Sequence, residues 1–295
     1  MANTYDFYKP QLSSEYPEVD GPVSVVTYIA ALDAAYSRFR EKVARVAKKA
    51  QLNGHGNGEI TEATFSLEDV DYAIFHSPYG KQAIKGHARL MYNDFLADPD
   101  APRFANIPNR EALLALSRPN SLTDKSVEKT FIAASKASFA QKSNPGMACS
   151  RRLGNMYTAS LYGCLASLLS QAEPAQLRGK RVSLFAFGSG CAASFFSLRV
   201  KGDTTEIREK LDLINRLAKM KVVPPQEFVD ALQVSEAFIP VLFKQVLILP
   251  QLREKNHNAS NFTPEGSVDN IWPGAYYLEH IDHKYRRKYL RAPLA

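Results

Sequence analysis

Apolar residues recur at steps of three and four from Ile29 through Leu32, Tyr36, Phe39 and Val43 to Val46. That period predicts one long helix from Ser24 or Thr27 to Ala50. Its other face carries Arg38, Arg40, Lys42, Arg45, Lys48 and Lys49, which reads as a solvated face. The period changes at Asp71-Tyr72-Ala73-Ile74-Phe75-His76-Ser77-Pro78-Tyr79. The β-branched and aromatic run Tyr72 to Phe75 predicts a short buried strand. Ser77 suits an N-cap and Pro78 the first position of a helix to about Leu96, with Ile84, Ala88, Met91 and Phe95 on or near one face. His76 then stands at the carboxyl end of a strand just before a helix, the edge at which open α/β sheets bind ligands. A lone histidine there is more often structural than catalytic.

Further along, Ser126 to Ala140 reads as a helix, and Arg110 to Leu116 as a short helical piece in a turn-rich stretch. Met147 to Leu153 is ambiguous between strand and loop. Gly154-Asn155-Met156-Tyr157-Thr158 opens a helix to about Gln171, with small residues Ser160, Gly163, Cys164 and Ser167 on one side. Asn155 at its start suits a cap, and a ligand contact at the first-turn N–H groups is the alternative. Lys180 to Phe187 is a clear strand, Gly188-Ser189-Gly190 breaks it, and Cys191 to Val200 is a second strand. Glycines around Ser189 either make a turn or let backbone approach a ligand. A strand follows where a nucleophile elbow would need a helix. Asp203-Thr204-Thr205-Glu206 reads as a capping box for a helix to Lys221, and another helix starts near Gln226. Residues 238–249 form the most apolar run, too short for a bilayer and interrupted by Pro240 and Lys244.

Composition changes little. The chain has 295 residues, 45% hydrophobic and 23% charged, enough for a real core. Cys149, Cys164 and Cys191 have no paired spacing, so neither a disulfide framework nor a zinc site is indicated. His280, Asp282 and His283 lack a metal-ligand arrangement, and no metal is assigned. Met1 to Pro10 has no basic-then-apolar design, so no signal peptide is read and cytoplasm follows by default. A net charge of +7 and a pI of 9.2 admit nucleic acid, anionic membrane or phosphate-bearing small molecules, and select none. Lys81, Lys85 and Arg89, spaced by four, share a helical face that either tolerates like charge or grips an anion.

An ordered set of segments carries more. Tyr5-Asp6-Phe7-Tyr8-Lys9-Pro10, Phe75-His76-Ser77-Pro78, Tyr92-Asn93-Asp94-Phe95, Ser121-Leu122-Thr123-Asp124-Lys125, Gly154-Asn155-Met156-Tyr157-Thr158 and Gly188-Ser189-Gly190 together resemble a hydroxymethylglutaryl-CoA synthase. The resemblance implies the carboxyl-terminal half of a thiolase-like layered α/β fold, a mixed sheet packed by helices, over residues 1–295. It implies condensation of acetyl-CoA with acetoacetyl-CoA and water to 3-hydroxy-3-methylglutaryl-CoA and CoA, on the mevalonate route to isoprenoids and sterols. CoA thioesters are then substrates and no separate cofactor is implied. The complete enzyme is expected to be a homodimer, without nucleic acid or membrane. By resemblance His76 binds the acetoacetyl group and polarises or protonates its ketone, Lys81 and Lys85 meet CoA or product, and Asn155 and Ser189 hydrogen-bond the acyl group.

Departures qualify this. The family's cysteine nucleophile and glutamate base belong to an amino-terminal half absent from this chain, and none of the three cysteines matches the nucleophile. The chain alone is therefore expected to be inactive, with an uncovered apolar face. Arg151-Arg152-Leu153 stands where small or polar residues are usual. Residues 234–251 read as an insertion relative to the family, with ends such as an unspliced intron would give. A non-catalytic CoA-binding or assembly partner of a full-length synthase is the alternative reading, and a nucleic-acid-binding protein, supported by charge alone, is the third.

Overall fold

The computed structural model describes residues 2–8, 17–52, 65–227, 229, 271, 273–284 and 286–294. The apolar run 238–249, the insertion expected at 234–251 and most of the helix expected from Gln226 lie outside the described residues. The chain divides into two units, 1–8 with 18–221 and 9–17 with 222–295.

The first unit opens with a two-residue antiparallel pair, β1 (Phe7–Tyr8) and β2 (Glu18–Val19), and then α1 (Gly21–Leu52). Asp20-Gly21-Pro22 begins that helix, because the Asp20 side chain accepts from Val23 N at 3.0 Å and Pro22 needs no N–H partner in the first turn. Next come β3 (Tyr72–Phe75) and α2 (Gly80–Ala97). The short helices α3 (Arg110–Ala115), α4 (Arg118–Ser121), α5 (Lys125–Ala134), α6 (Lys136–Lys142) and α7 (Ala148–Leu153) follow. Then come α8 (Ser160–Gln171), α9 (Pro174–Leu177), β4 (Arg181–Gly188), β5 (Ala192–Arg199), α10 (Thr205–Leu211) and α11 (Leu213–Ala218).

A mixed sheet in the order β3-β4-β5 organises this unit. β3 runs parallel to β4 with Tyr72 opposite Val182 and Phe75 opposite Phe185, and β4 runs antiparallel to β5 through the tight turn after Gly188. Alternation sends Ala73, Phe75 and Phe185 to one face, packed with Tyr28, Ile29, Leu32 and Tyr36 of α1. Ile74, Val182 and Leu184 go to the other face, against Leu161, Cys164 and Leu168 of α8. Both faces are covered, which is why the β3 sequence is a continuous apolar run. A third cluster joins Ala88, Tyr92 and Phe95 of α2 to Phe104, Leu113, Val127 and Phe131. The small residues of α8 serve close packing: Ser160 Oγ accepts from Ser77 N at 2.9 Å, and Ser167 Oγ accepts from Cys149 N at 3.0 Å. The outward residues Phe196 and Leu198 of edge strand β5 stay exposed.

Several boundaries differ from the sequence reading. α2 starts at Gly80, not Pro78, because Ser77 is wholly buried with its N–H committed to Ser160, and Tyr79 is the capping position. Ser126–Ala140 is broken at Ser135 into α5 and α6, and Met147–Leu153 is helical. The 203–206 segment is not a reciprocal capping box. Asp203 accepts from Thr205 N and Oγ1, while Glu206 pairs with Lys210. The helix expected to Lys221 is interrupted at Asp212, where φ is +41°.

Buried polar groups tie the helices together. Arg89 on α2 donates through Nε and Nη2 to both Asp33 oxygens on α1, at 2.8 and 2.5 Å, and through Nη1 and Nη2 to Ser121 O and Oγ. Asn93 Nδ2 adds a bond to Asp33 at 2.7 Å. Asp94 accepts from Tyr36 OH and Leu67 N, both at 2.7 Å, and burial pushes its carboxyl up to about 6. His87, buried between Ser143 and Ser138 hydroxyls, is held down to about 3, first by desolvation and then by Lys142.

In the second unit β6 (Tyr276–Ile281) and β7 (Arg287–Arg291) form an antiparallel hairpin with an irregularity between Leu278 and His280. Asp282 holds its turn by accepting from Lys284 N, Arg286 N and Arg286 Nε, which lowers its carboxyl to about 2.

Asp33→Ala would strand a buried guanidinium and should cost about 3–5 kcal/mol of stability, read as a lowered urea midpoint. Replacing both partners, Asp33→Leu with Arg89→Met, should recover much of it. A single-variant loss below about 1 kcal/mol would place the pair with ordinary surface ion pairs.

Candidate functional site

β3 and β4 are parallel, so their carboxyl ends lie side by side, and the loops leaving them meet the segment that enters α8. A cavity of about 670 Å³ opens there. His76, Asn155 and Ser189 all line it, together with Ser24 and Tyr28 of α1 and Tyr79 and Gln82 at the start of α2.

His76 is fixed through its backbone. Its N–H donates to Phe185 O at 2.7 Å, extending the sheet pairing by one residue, and its carbonyl accepts from Tyr28 OH at 2.9 Å. The imidazole lies beside the paired rings of Tyr28 and Phe187, at 6.5 and 6.2 Å between centroids, and those two rings are 5.2 Å from each other. Desolvation by these walls lowers it to about 4, so the ring is neutral at neutral pH. Among the described residues no side chain bonds its ring nitrogens, which leaves one N–H donor and one acceptor for a ligand.

Asn155 caps neither α8, whose capping position is Ala159, nor the short turn before it, whose capping position is Met156; it makes a local side-chain turn instead. Its Oδ1 accepts from Tyr157 N at 2.8 Å at the 3₁₀ turn Tyr157–Ala159. Asn155 lines the cavity, and its Nδ2 group carries the donors of the amide. Ser189 Oγ donates to Asp6 Oδ2 at 2.9 Å. Asp6 is fully buried, and its other oxygen has no partner. The amino-terminal segment also pairs with this loop through Thr4 N to Gly190 O at 2.8 Å. Gly190 adopts φ +121°, which only glycine takes readily.

The lysines do not join this group. Lys81 is exposed on the first turn of α2, and Lys85, its side chain 19% exposed, is in an ion pair with Glu128 of α5 at 3.2 Å; neither lines the cavity. Arg151 and Arg152 donate to Asn144 Oδ1 and Leu217 O, and neither lines the cavity. Cys149 and Cys164 are buried, and burial pushes the Cys164 thiol up to about 12, which keeps it protonated. Asp6, Tyr28, Tyr79 and Gln82 were not singled out from sequence as site residues. Asp6 and Tyr79 stand inside quoted stretches, and Tyr28 and Gln82 carry no local signal.

The layered arrangement is the thiolase-like α/β fold. One solved structure, of MvaS in complex with 3-hydroxy-3-methylglutaryl coenzyme A, superposes with a TM-score of 0.61 at 29% identity, over 99% of this chain and 56% of that one. The hydroxymethylglutaryl synthase of the curacin pathway, with an acetyl donor carrier protein, shares the fold at a TM-score of 0.63 and 18% identity, over 99% of this chain and 55% of that one. The family model for the hydroxymethylglutaryl-coenzyme A synthase C terminal matches residues 1–245 and 238–292, and the chain belongs to that family. It is 60% identical over 295 residues to a hydroxymethylglutaryl-CoA synthase of Ganoderma lucidum, and 38% identical over 301 residues to the mitochondrial enzyme of Homo sapiens. All of this chain is matched in both, but it spans only 57% and 54% of those relatives.

The His76 ring should titrate near pH 4 in the folded chain, measurable by its carbon-bound ring protons in NMR. A depressed folded value means that the unfolded chain takes up the proton first. Stability is therefore present above about pH 6.5 and falls as pH drops toward 4. A midpoint at the ordinary value of about 6.5 would show that the walls do not desolvate the ring.

Proposed function

We propose that this chain furnishes the acetoacetyl-CoA side of a hydroxymethylglutaryl-CoA synthase. The reaction joins acetyl-CoA, acetoacetyl-CoA and water into 3-hydroxy-3-methylglutaryl-CoA and CoA. The observation that carries the reading is the convergence of His76, Asn155 and Ser189 on one cavity at the carboxyl ends of two parallel strands. Membership of the family supplies the chemistry. In that scheme an acetyl group rides on a cysteine and a glutamate removes a methyl proton, both from the portion of the relatives that this chain does not match. The carbanion attacks the ketone carbon of acetoacetyl-CoA, and the ketone oxygen becomes an alkoxide.

His76 acts at that oxygen. Because the imidazole is neutral, it works as a hydrogen-bond donor that stabilises the developing charge, rather than as a charged acid. The low-polarity walls of Tyr28 and Phe187 strengthen such a bond, since little water competes with it. Asn155 Nδ2 donates to an acyl oxygen; Ser189 Oγ, whose one proton goes to Asp6, would first have to turn that proton from Asp6 to do the same. Lys81, exposed at the head of α2, is the cation available to phosphates. Lys85 would first have to leave Glu128.

The test is reconstitution with an amino-terminal half that carries the cysteine and glutamate. Restored condensation supports the enzyme reading. CoA binding without condensation would favour a non-catalytic partner. In the reconstituted enzyme His76→Ala should lower kcat/KM for acetoacetyl-CoA by about 10²–10³-fold and leave cysteine acetylation by acetyl-CoA near its original rate. Unchanged condensation would refute the role of His76.

A further inference from the structure

One polar group of the cavity is used by nothing described so far. Gln82, in the first turn of α2, is only 1% exposed. Its Oε1 accepts from the Tyr79 hydroxyl at 2.8 Å, and its Nε2 has no partner. A buried amide nitrogen without an acceptor is costly and uncommon. Here it belongs to a cavity wall. As placed, the amide turns its oxygen to the Tyr79 hydroxyl, so the two N–H donors are what remains. Tyr79 makes no side-chain cap to α2, so this end of the helix offers donors and no acceptor. What this position lacks is an acceptor for Nε2.

We propose that Gln82 positions the pantetheine arm of the bound thioester, donating from Nε2 to an amide carbonyl of that arm. The assignment rests on the reading of the cavity given above. The groups placed at the acyl end, His76, Asn155 and Ser189, lie on the loops after β3, before α8 and after β4. Gln82 lies on a different element, next in sequence to the exposed Lys81. A thioester with its acyl group at His76 and its phosphates toward Lys81 must carry its connecting arm past the head of α2. That arm contains two secondary amides, and a carbonyl drawn from water into an apolar cavity needs a donor as much as Gln82 Nε2 needs an acceptor. Matching the two removes both penalties. It also sets how far the acyl group reaches toward His76.

The experiment is calorimetric titration of the full chain with two probes, CoA and acetoacetyl-CoA, which share the arm and differ in the acyl group. Gln82→Met keeps length and removes the donor. Gln82→Glu keeps an acceptor for Tyr79 and, once ionised, removes the donor; it is titrated from pH 7 to pH 9, because burial raises the carboxyl and only its ionised form lacks a donor. Both variants should weaken both probes by the same factor, about 5–20-fold. If Gln82→Glu binds as the unaltered chain does, the amide merely holds Tyr79 and the proposal falls. A loss confined to acetoacetyl-CoA would put the contact at the acyl end and overturn it. Binding of neither probe by the unaltered chain would overturn the reading of the cavity and this assignment with it. Binding indifferent to Gln82 would overturn the assignment alone.

Discussion

The Arg89–Asp33 pair is the interaction on which the rest of the larger unit depends. It joins the two longest described helices where both are buried, and all of the guanidinium nitrogens are engaged by Asp33 and Ser121. Two charges removed from water gain little net stability from each other. Their effect is on geometry: a bidentate fork tolerates little rotation or sliding of α1 against α2. Asn93 and the Tyr92 ring, 4.8 Å from the guanidinium, close the remaining sides.

That fixed angle reaches the site through Tyr28. On one turn of α1 the Tyr28 ring packs against Phe185 and Phe187, and its hydroxyl holds the His76 carbonyl. On α2, locked to α1 by Arg89, the first turn sets Tyr79 and Gln82 into the cavity wall. Asp94 repeats the device a turn further on, tying α2 to Tyr36 of α1 and to the Leu67 backbone before β3. The site is thus assembled on two strands and two helices whose mutual positions are set by buried hydrogen bonds, while its chemistry sits on the loops they present.

Sequence reasoning read the strands and the long helix well, because their signals are local. Tyr72–Phe75 and Lys180–Phe187 alternate or run apolar as buried strands must, and the stripe from Ile29 to Val46 is helical in period. It read the head of α2 less well. Ser77 and Pro78 have the right local chemistry for a helix start, but a distant hydroxyl, Ser160 Oγ, claims the Ser77 N–H, and the helix waits for Gly80. The same competition diverted Lys85. On the helix it aligns with Lys81, yet Glu128 of α5 takes its ammonium.

What the sequence determined by itself was the order of elements, the place of His76 at the end of a buried strand, and the kinds of groups available, since each follows from periodicity and local backbone preference. Tertiary structure alone decided which of those groups share a cavity. The parallel register of β3 with β4 brings Ser189 to His76, and the packing of α8 brings Asn155. It also decided their state: His76 is neutral because aromatic walls exclude water, and Gln82 holds an unused donor because Tyr79 occupies its other end. Desolvation and hydrogen-bond completion depend on residues far apart in the chain, and no local pattern encodes them.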